Sequence, residues 1–290
     1  MRISTLSNII FLTSEAQKQF EKISKLLREI SSGKRRDLYS SEPEKVEDLV
    51  SVKWNISKIQ QYDDNIKFAK GILLTEDDIL GKVYDTLVTV KEKLIEAANA
   101  HSESAYDTLR QTLRELKNRL WQYANTRVGD FYIFGGYKYT SQPYYDSNGY
   151  YSGGSEFSIK VAENDSVALF LDGSQAFGSG SSSVFEVIQK AINHITNTKE
   201  IEQAIGEIEN YLAKVNTLRA KVGANGQKLE KYSLTYSELL DNLKKRQTDL
   251  EGVDIDGAIS DYQLANTTYR AILSVLAKEN NQSSILLKYF

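Results

Sequence analysis

Apolar residues recur along the first thirty positions at the spacing of a helix that hides one stripe. Leu6, Ile9, Thr13, Ala16, Phe20, Ile23, Leu27 and Ile30 stand 3, 4, 3, 4, 3, 4 and 3 apart. That is a heptad seam, and Gly33 follows where a helix would stop. The far end of the chain carries a second seam. Ile255, Ile259, Tyr262, Asn266, Tyr269, Leu273, Leu276, Asn280, Ser283, Leu287 and Phe290 alternate by 4 and 3. A helix with one apolar stripe must bury it, and the simplest partner for each terminal stripe is the other. The pattern predicts that the chain ends pair and that everything between them is an excursion out and back. Thr13, Asn266, Asn280 and Ser283 are polar interruptions, so an isolated hairpin of these helices would be marginal.

The intervening chain alternates between helical and extended patterns. The first helix is expected over 4–32, with a loop over 33–37. Pro43 restarts the chain at a first helical position. Val52, Ile56, Ile59, Ile66 and Leu73 continue a helical stripe; Gly71 marks a kink, or Thr75, Asp77 and Asp78 cap a new segment. Val83, Leu87, Val90 and Leu94 extend it to a break at His101-Ser102. Tyr106, Leu109, Leu113, Leu116, Leu120 and Tyr123 form another stripe that stops near Gly129. Phe131-Tyr132-Ile133-Phe134 is strand-like and closed by Gly135-Gly136. Two period-2 strands follow, carried by Phe157, Ile159 and Val161 and by Val167, Leu169 and Leu171, with a turn at Asn164-Asp165. Asn148-Gly149 and Asp172-Gly173 read as hairpin turns. A short helix is expected over 184–195 and a single long one over 201–250, eased at Gly223 and Gly226. Gly252 ends it, and Asp254 caps the last helix.

The fold class is therefore mainly α with a small β insertion: paired terminal helices, an antiparallel rod of long helices and a β-rich outer domain. Residues 1–43 and 251–290 are expected to form a terminal coiled-coil domain, 44–140 and 184–250 a helical rod domain, and 141–183 an inserted β domain. Composition sharpens the division. Only Pro43 and Pro143 interrupt the chain, as suits long helices, whereas nine of the 17 glycines fall between Gly129 and Gly180.

Charge and chemistry mostly exclude. A net charge of −3 gives no electrostatic case for nucleic acid or an acidic membrane as partner. The absence of cysteine removes disulfides, thiolate catalysis and zinc–thiolate sites. No apolar run approaches the roughly 20 residues that span a bilayer. Ser4, Ser7 and Asn8 interrupt any signal-peptide core, so export, if it occurs, is expected to keep the N-terminus. His101 and His194 are the only histidines and lie 93 positions apart. Hydrolase, metalloprotease and Walker-type motifs are absent. Gly178-Ser179-Gly180-Ser181-Ser182-Ser183 lacks the lysine of a phosphate loop and reads as a flexible linker. Asp254-Ile255-Asp256-Gly257 has its glycine misplaced for a calcium loop and reads as a helix cap. Seven of the 18 tyrosines lie between Tyr132 and Tyr151. They read as strand cover and contact area rather than as an aromatic sugar platform. No catalytic residue, metal ligand or cofactor is expected.

Three stretches carry a family resemblance. Met1-Arg2-Ile3-Ser4, with Ile30-Ser31-Ser32-Gly33-Lys34-Arg35 and then Ser40-Ser41-Glu42-Pro43, resembles the start of flagellin-related proteins. Asn125-Thr126-Arg127 through Tyr132-Ile133-Phe134-Gly135-Gly136, with Gln142-Pro143, is similar to one branch of that superfamily, the type 3 hook-associated proteins of the hook–filament junction. Leu218-Arg219-Ala220-Lys221-Val222-Gly223-Ala224 and 254–290, ending Leu286-Leu287-Lys288-Tyr289-Phe290, resemble its C-terminal helix. Asn225-Gly226-Gln227 and Glu42-Pro43-Glu44 depart from the pattern, and 141–183 matches only loosely. The resemblance implies a structural, non-enzymatic protein of the bacterial flagellum. It would be exported without a cleaved signal, held beforehand by an export chaperone, and assembled as a ring of subunits between the hook-side junction protein and flagellin. The subunit-interface residues are then expected on the terminal seams: Leu6, Ile9, Phe20, Ile23, Leu27, Ile30, Ile255, Ile259, Tyr262, Tyr269, Leu273, Leu276, Leu287 and Phe290. Filament flagellin itself, or a secreted carbohydrate-binding adhesin, is the alternative.

Overall fold

A computed structural model describes the backbone of residues 2–35, 42–145 and 149–288, and the side chains of 7–35, 42–145 and 149–279. The elements in chain order are α1 (Arg2–Ser32), α2 (Pro43–Ala98), α3 (Glu103–Ala124), β1 (Arg127–Val128), β2 (Phe131–Tyr132), β3 (Phe157–Ala162), β4 (Asp165–Leu169), α4 (Gly173–Phe177), α5 (Val184–Asn193), α6 (Thr198–Glu251) and α7 (Ile255–Lys288). They form two compact units, Met1–Ser57 with Leu239–Phe290, and Lys58–Glu238.

The helix ends follow from local chemistry. Gly33 takes φ +67° and donates its N–H to Glu29 O at 2.8 Å, a left-handed stop that costs glycine little. Ser102 caps α3 by accepting from the Ala105 N–H. Asp254 Oδ1 accepts from Gly257 N–H at 3.2 Å at the start of α7. α2 is continuous through Gly71 and Thr75, whose hydroxyl donates back to Gly71 O at 3.1 Å, so no new segment is capped there. The single long helix expected over 201–250 is α6. α6 runs through Gly223 and Gly226, because Val215, Leu218, Val222 and Leu229 keep its stripe buried on both sides of them.

In the terminal unit, α1 and α7 pack on each other, with the starts of α2 and ends of α6 joined by ion pairs such as Arg246–Asp48 at 3.5 Å. In the middle unit, α2 and α6 run antiparallel. Lys70 pairs with Glu230, Asp77 with Arg219 and Lys91 with Glu209, so one number falls as the other rises. Their facing residues Ile66, Leu80, Val83, Leu87, Val90 and Leu94, with Ile201, Ile208 and Val215, are buried. α3 packs on α5, and Lys117 Nζ donates to Gln189 Oε1 at 2.6 Å.

Both small sheets are antiparallel pairs, β1 with β2 and β3 with β4. The strand run at 131–134 is shorter than its composition predicts. Only Phe131 and Tyr132 pair; Ile133 and Phe134 turn inward and are fully buried. In the second sheet Ala162 pairs with Asp165, so the turn residues are Glu163 and Asn164, one position earlier than expected. Asp172-Gly173 is not a hairpin turn. Asp172 Oδ1 accepts from Ser174 N–H at 2.9 Å and caps α4, since no strand follows for a hairpin to serve. Gly178–Ser183 is a folded turn rather than a loose linker: Gly178 and Gly180 are left-handed, and Ser183 is buried as the cap of α5. Asn148 of the other expected turn lies outside the described residues.

Candidate assembly surface on the terminal helices

The α1–α7 pair uses a seam one step out of phase with the simplest reading of the sequence. On α1 the buried or half-buried row is Ile9, Leu12, Ala16, Gln19, Ile23, Leu26 and Ile30; on α7 it is Ala258, Tyr262, Ala265, Tyr269, Ile272 and Leu276. Ile9, Ile23, Ile30, Tyr262, Tyr269 and Leu276 thus lie on the intramolecular seam, Ile23 at only 8% exposure. The expected alternates do not. Phe20 (57% exposed), Leu27, Ile255, Ile259 and Leu273 stand outside it. From Ile9 a step of three reaches Leu12 and a step of four reaches Thr13, and burial favours the leucine. Ala258 and Ala265 place small side chains where the helices meet, and their larger neighbours are turned outward. The side chains of Leu6 and Leu287, and all of Phe290, lie outside the described residues.

Large apolar side chains also stand exposed on more than one side of the seam. Ile10 and Phe11 join Phe20 and Leu27 on α1; Leu264 and Val275 join Ile255, Ile259 and Leu273 on α7. Phe20 leans on Tyr269 with ring centroids 6.1 Å apart, and Lys22 lies 3.9 Å from Asp261. Seam and exposed side chains together make a helix pair that is apolar on more than one side, which a self-contained hairpin does not require.

Where the loop after α1 meets the turn between α6 and α7, the backbones pair. Arg35 N–H donates to Glu251 O at 2.9 Å and Val253 N–H to Gly33 O at 3.1 Å. The buried Glu251 carboxylate receives Lys34 and Lys53, each at 2.8 Å, and Gln247 Nε2 at 2.7 Å. Burial alone would raise its pKa, but these three donors hold it down to about 2. No sequence signal marked this joint, because its parts come from three separate stretches, 33–35, 53 and 247–253.

The other candidates have ordinary positions. His101 and His194 are exposed at helix ends. Tyr144 is fully buried with its hydroxyl donating to Gly178 O at 2.8 Å, and burial raises its pKa. The Tyr151 hydroxyl donates to Phe134 O and Gly154 O. Those two rings are therefore unavailable as a ligand platform; Tyr137, Tyr145 and Tyr150 are exposed. Among the described residues no cluster of acidic and histidine side chains could hold a metal ion, and no helix is long and apolar enough to cross a membrane.

Paired terminal helices carrying spare apolar surface define a protein of the flagellin type. The model of the bacterial flagellin N-terminal helical region matches residues 3–138, and that of the C-terminal helical region matches 205–290. Between them they cover most of the chain, which belongs to the bacterial flagellin family, a family of structural proteins and not enzymes. Within it, the resemblance to hook-associated proteins of type 3 holds. The chain is 26% identical over 272 residues to flagellar hook-associated protein 3 of Escherichia coli (strain K12), covering 84% of this chain and 86% of that one. It is 26% identical over 275 residues to flagellar hook-associated protein 3 of Salmonella typhimurium, covering 85% and 87%. The fold matches the crystal structure of flagellar hook-associated protein-3 from Legionella pneumophila with a TM-score of 0.62 at 18% identity, over 69% of this chain and 98% of that one.

Proposed function

We propose that this chain is a structural adaptor of the bacterial flagellum, a ring of subunits joining the hook-side junction protein to the flagellin filament. The observation that carries the reading is the large apolar side chains left exposed on more than one side of the paired helices: Phe20 and Leu27 with Ile10 and Phe11 on α1, and Ile255, Ile259 and Leu273 with Leu264 on α7. Helices already paired through one face that keep such side chains in water call for further helices beside them. The similarity to hook-associated protein 3 over most of both chains supports the hook–filament junction as the place of assembly. In this reading 1–43 and 251–290 line the axial tube, 44–140 and 184–250 form the rod, and 141–183 project outward. The protein acts outside the cell, reaches its place through flagellar export without a cleaved signal, and meets an export chaperone beforehand.

The test is a clean deletion in the source bacterium, viewed by electron microscopy. Hooks that lack filaments, with filament growth restored by the intact gene, are the expected result. Normal filaments on the deletion strain would overturn the reading.

A further inference from the structure

The middle unit buries one carboxyl that neither its helices nor the assembly surface explain. Glu76 lies on α2 at 0% exposure. Its Oε1 accepts the Leu171 N–H at 3.3 Å, and the Phe170 N–H is also turned on the carboxyl. Oε2 is buried with no hydrogen-bond partner. Phe170, directly after β4, has φ +52°, the one left-handed residue other than glycine among those described. A bulky side chain adopts that conformation only when its surroundings hold it. The Phe170 ring is buried as the hub of an aromatic cluster: it stacks on Tyr139 at 4.8 Å and meets Phe131 at 5.7 Å, Phe157 at 5.8 Å and Phe68 of α2 at 6.4 Å.

We propose that Glu76 is a protonation-controlled latch: neutral, it seats the Phe170–Leu171 turn, and the β3–β4 hairpin leading into it, on α2; ionised, it weakens that seat and lets the hairpin lift away. The turn has no other buried acidic group beneath it among the described residues. When the hairpin lifts, Phe157 and Phe170 leave the cluster together and the rings of Phe131 and Tyr139, which stay behind, become accessible.

Burial is the main influence on the Glu76 carboxyl and pushes it up to about 8, against the opposing pull of the Leu171 and Phe170 amides. The charges that reach it are Glu156, before β3, and Lys221 on α6, and these pair with each other at 2.6 Å. Asp77 beside it on α2 is paired with Arg219 of α6 at 3.2 Å, and Asp172 after the turn is engaged in capping α4. The docked state therefore carries a proton, between the ordinary 4.5 and about 8, that the lifted state does not. Docking is strongest at the acid end of that window. It weakens by up to about tenfold per pH unit as pH rises, then levels off.

The remaining anchors of the hairpin do not share this dependence. Glu163 pairs with Lys58 and Asp165 with Lys228 and Tyr232, and both carboxyls are held below their usual range by those partners. Asn65 Nδ2 donates to Lys160 O at 2.8 Å and the Tyr236 hydroxyl to Val161 O at 2.8 Å. Held below their usual range, the Glu163 and Asp165 carboxyls stay ionised across the window.

Hydrogen exchange of the full-length protein between pH 5.5 and 8.5, corrected for intrinsic rates, tests the latch. Protection of 157–171 should fall relative to 184–193 by at least tenfold. In Glu76→Gln, whose amide oxygen still accepts the Leu171 N–H but cannot ionise, the ratio should stay flat. A flat ratio in the natural protein, or the same slope in Glu76→Gln, overturns the proposal. Should that variant fail to fold, a carbon-13 titration of the Glu76 carboxyl in the natural protein decides: a midpoint above about 7 supports the latch and one below about 6 overturns it.

Discussion

The terminal unit and the middle unit are built from helices of similar type, yet they spend their apolar residues differently. The middle unit encloses them. Ile133, Phe134, Phe177, Leu113 and Ile208 are shut away completely, and aromatic rings lock edge to face, as with Phe134 and Phe177 at 5.1 Å. The terminal pair encloses a thin line of Ala16, Ile23, Leu26, Ala258 and Ala265, and leaves Phe11, Phe20 and Leu264 in water. A unit that hides its large side chains has its stability within one chain. A unit that hides alanines and displays phenylalanines has apolar surface left over for other chains to cover.

The comparison breaks most visibly where the enclosed core is opened. Phe134→Ala removes a ring with no exposure from an aromatic cluster, at a cost of about 3–5 kcal/mol. Urea unfolding should show that loss in the middle unit. The same variant should leave hydrogen exchange of α1 unchanged; a matching loss there would mean the two units fold as one.

Ile23→Asp probes the thin seam. Its carboxylate would sit between α1 and α7, costing the pair about 2–3 kcal/mol. Deprotection of α1 and α7 in the free monomer, with the middle unit intact, is the expected outcome. Because Ile23 is already buried within one chain, this variant disturbs the monomer before any neighbour is involved. Unchanged protection of α1 would place Ile23 outside the monomer's own packing.

Glu251→Gln is a smaller intervention. It keeps the shape but removes the charge that receives Lys34 and Lys53, costing about 1.5 kcal/mol. Because Glu251 is held down to about 2 from an ordinary 4.5, its contribution is complete above pH 4.5 and is lost as pH falls toward 2. The natural protein should loosen at this joint in acid, and Glu251→Gln should be less sensitive over the same range. Equal acid sensitivity of the two would show that other carboxyls dominate.

The sequence revealed long helices and their caps because these rest on local chemistry. Pro43, Ser102, Asp254, Gly33 and Gly252 sit where the helices begin and end, and the alternation at 157–161 and 167–169 marks the real hairpin. It misjudged the phase of both terminal seams. A row of 3 and 4 steps can start on either, and only the packed partner decides between Leu12 and Thr13 or between Ala258 and Ile259. It also gave no hint of Glu76 or Glu251. Each looks like one more charged residue on a helix, and its meaning comes from partners 95 or 217 positions away: Leu171 for the first, Lys34 for the second. The helix start offered by Thr75, Asp77 and Asp78 failed for the complementary reason, since tertiary burial carries the helix through the weak local propensity at Gly71.

The smallest effect on the isolated chain should accompany the largest effect on assembly, at Phe20. The side chain is 57% exposed and leans on Tyr269 of the seam, so Phe20→Ser should change monomer stability by no more than about 0.5 kcal/mol. In a tube of packed helices the same ring would be covered by a neighbour, and its loss would remove a large apolar contact from every subunit interface. Glu21→Lys, one position along, serves as a control for a generic surface change. Thermal midpoints of the two variants should match that of the natural protein, while incorporation at hook tips falls for Phe20→Ser alone. If Phe20→Ser assembled normally, the side of α1 carrying Phe20 and Leu27 would not be the assembly surface. The contrast between an enclosed middle unit and an unfinished terminal one would then need another explanation.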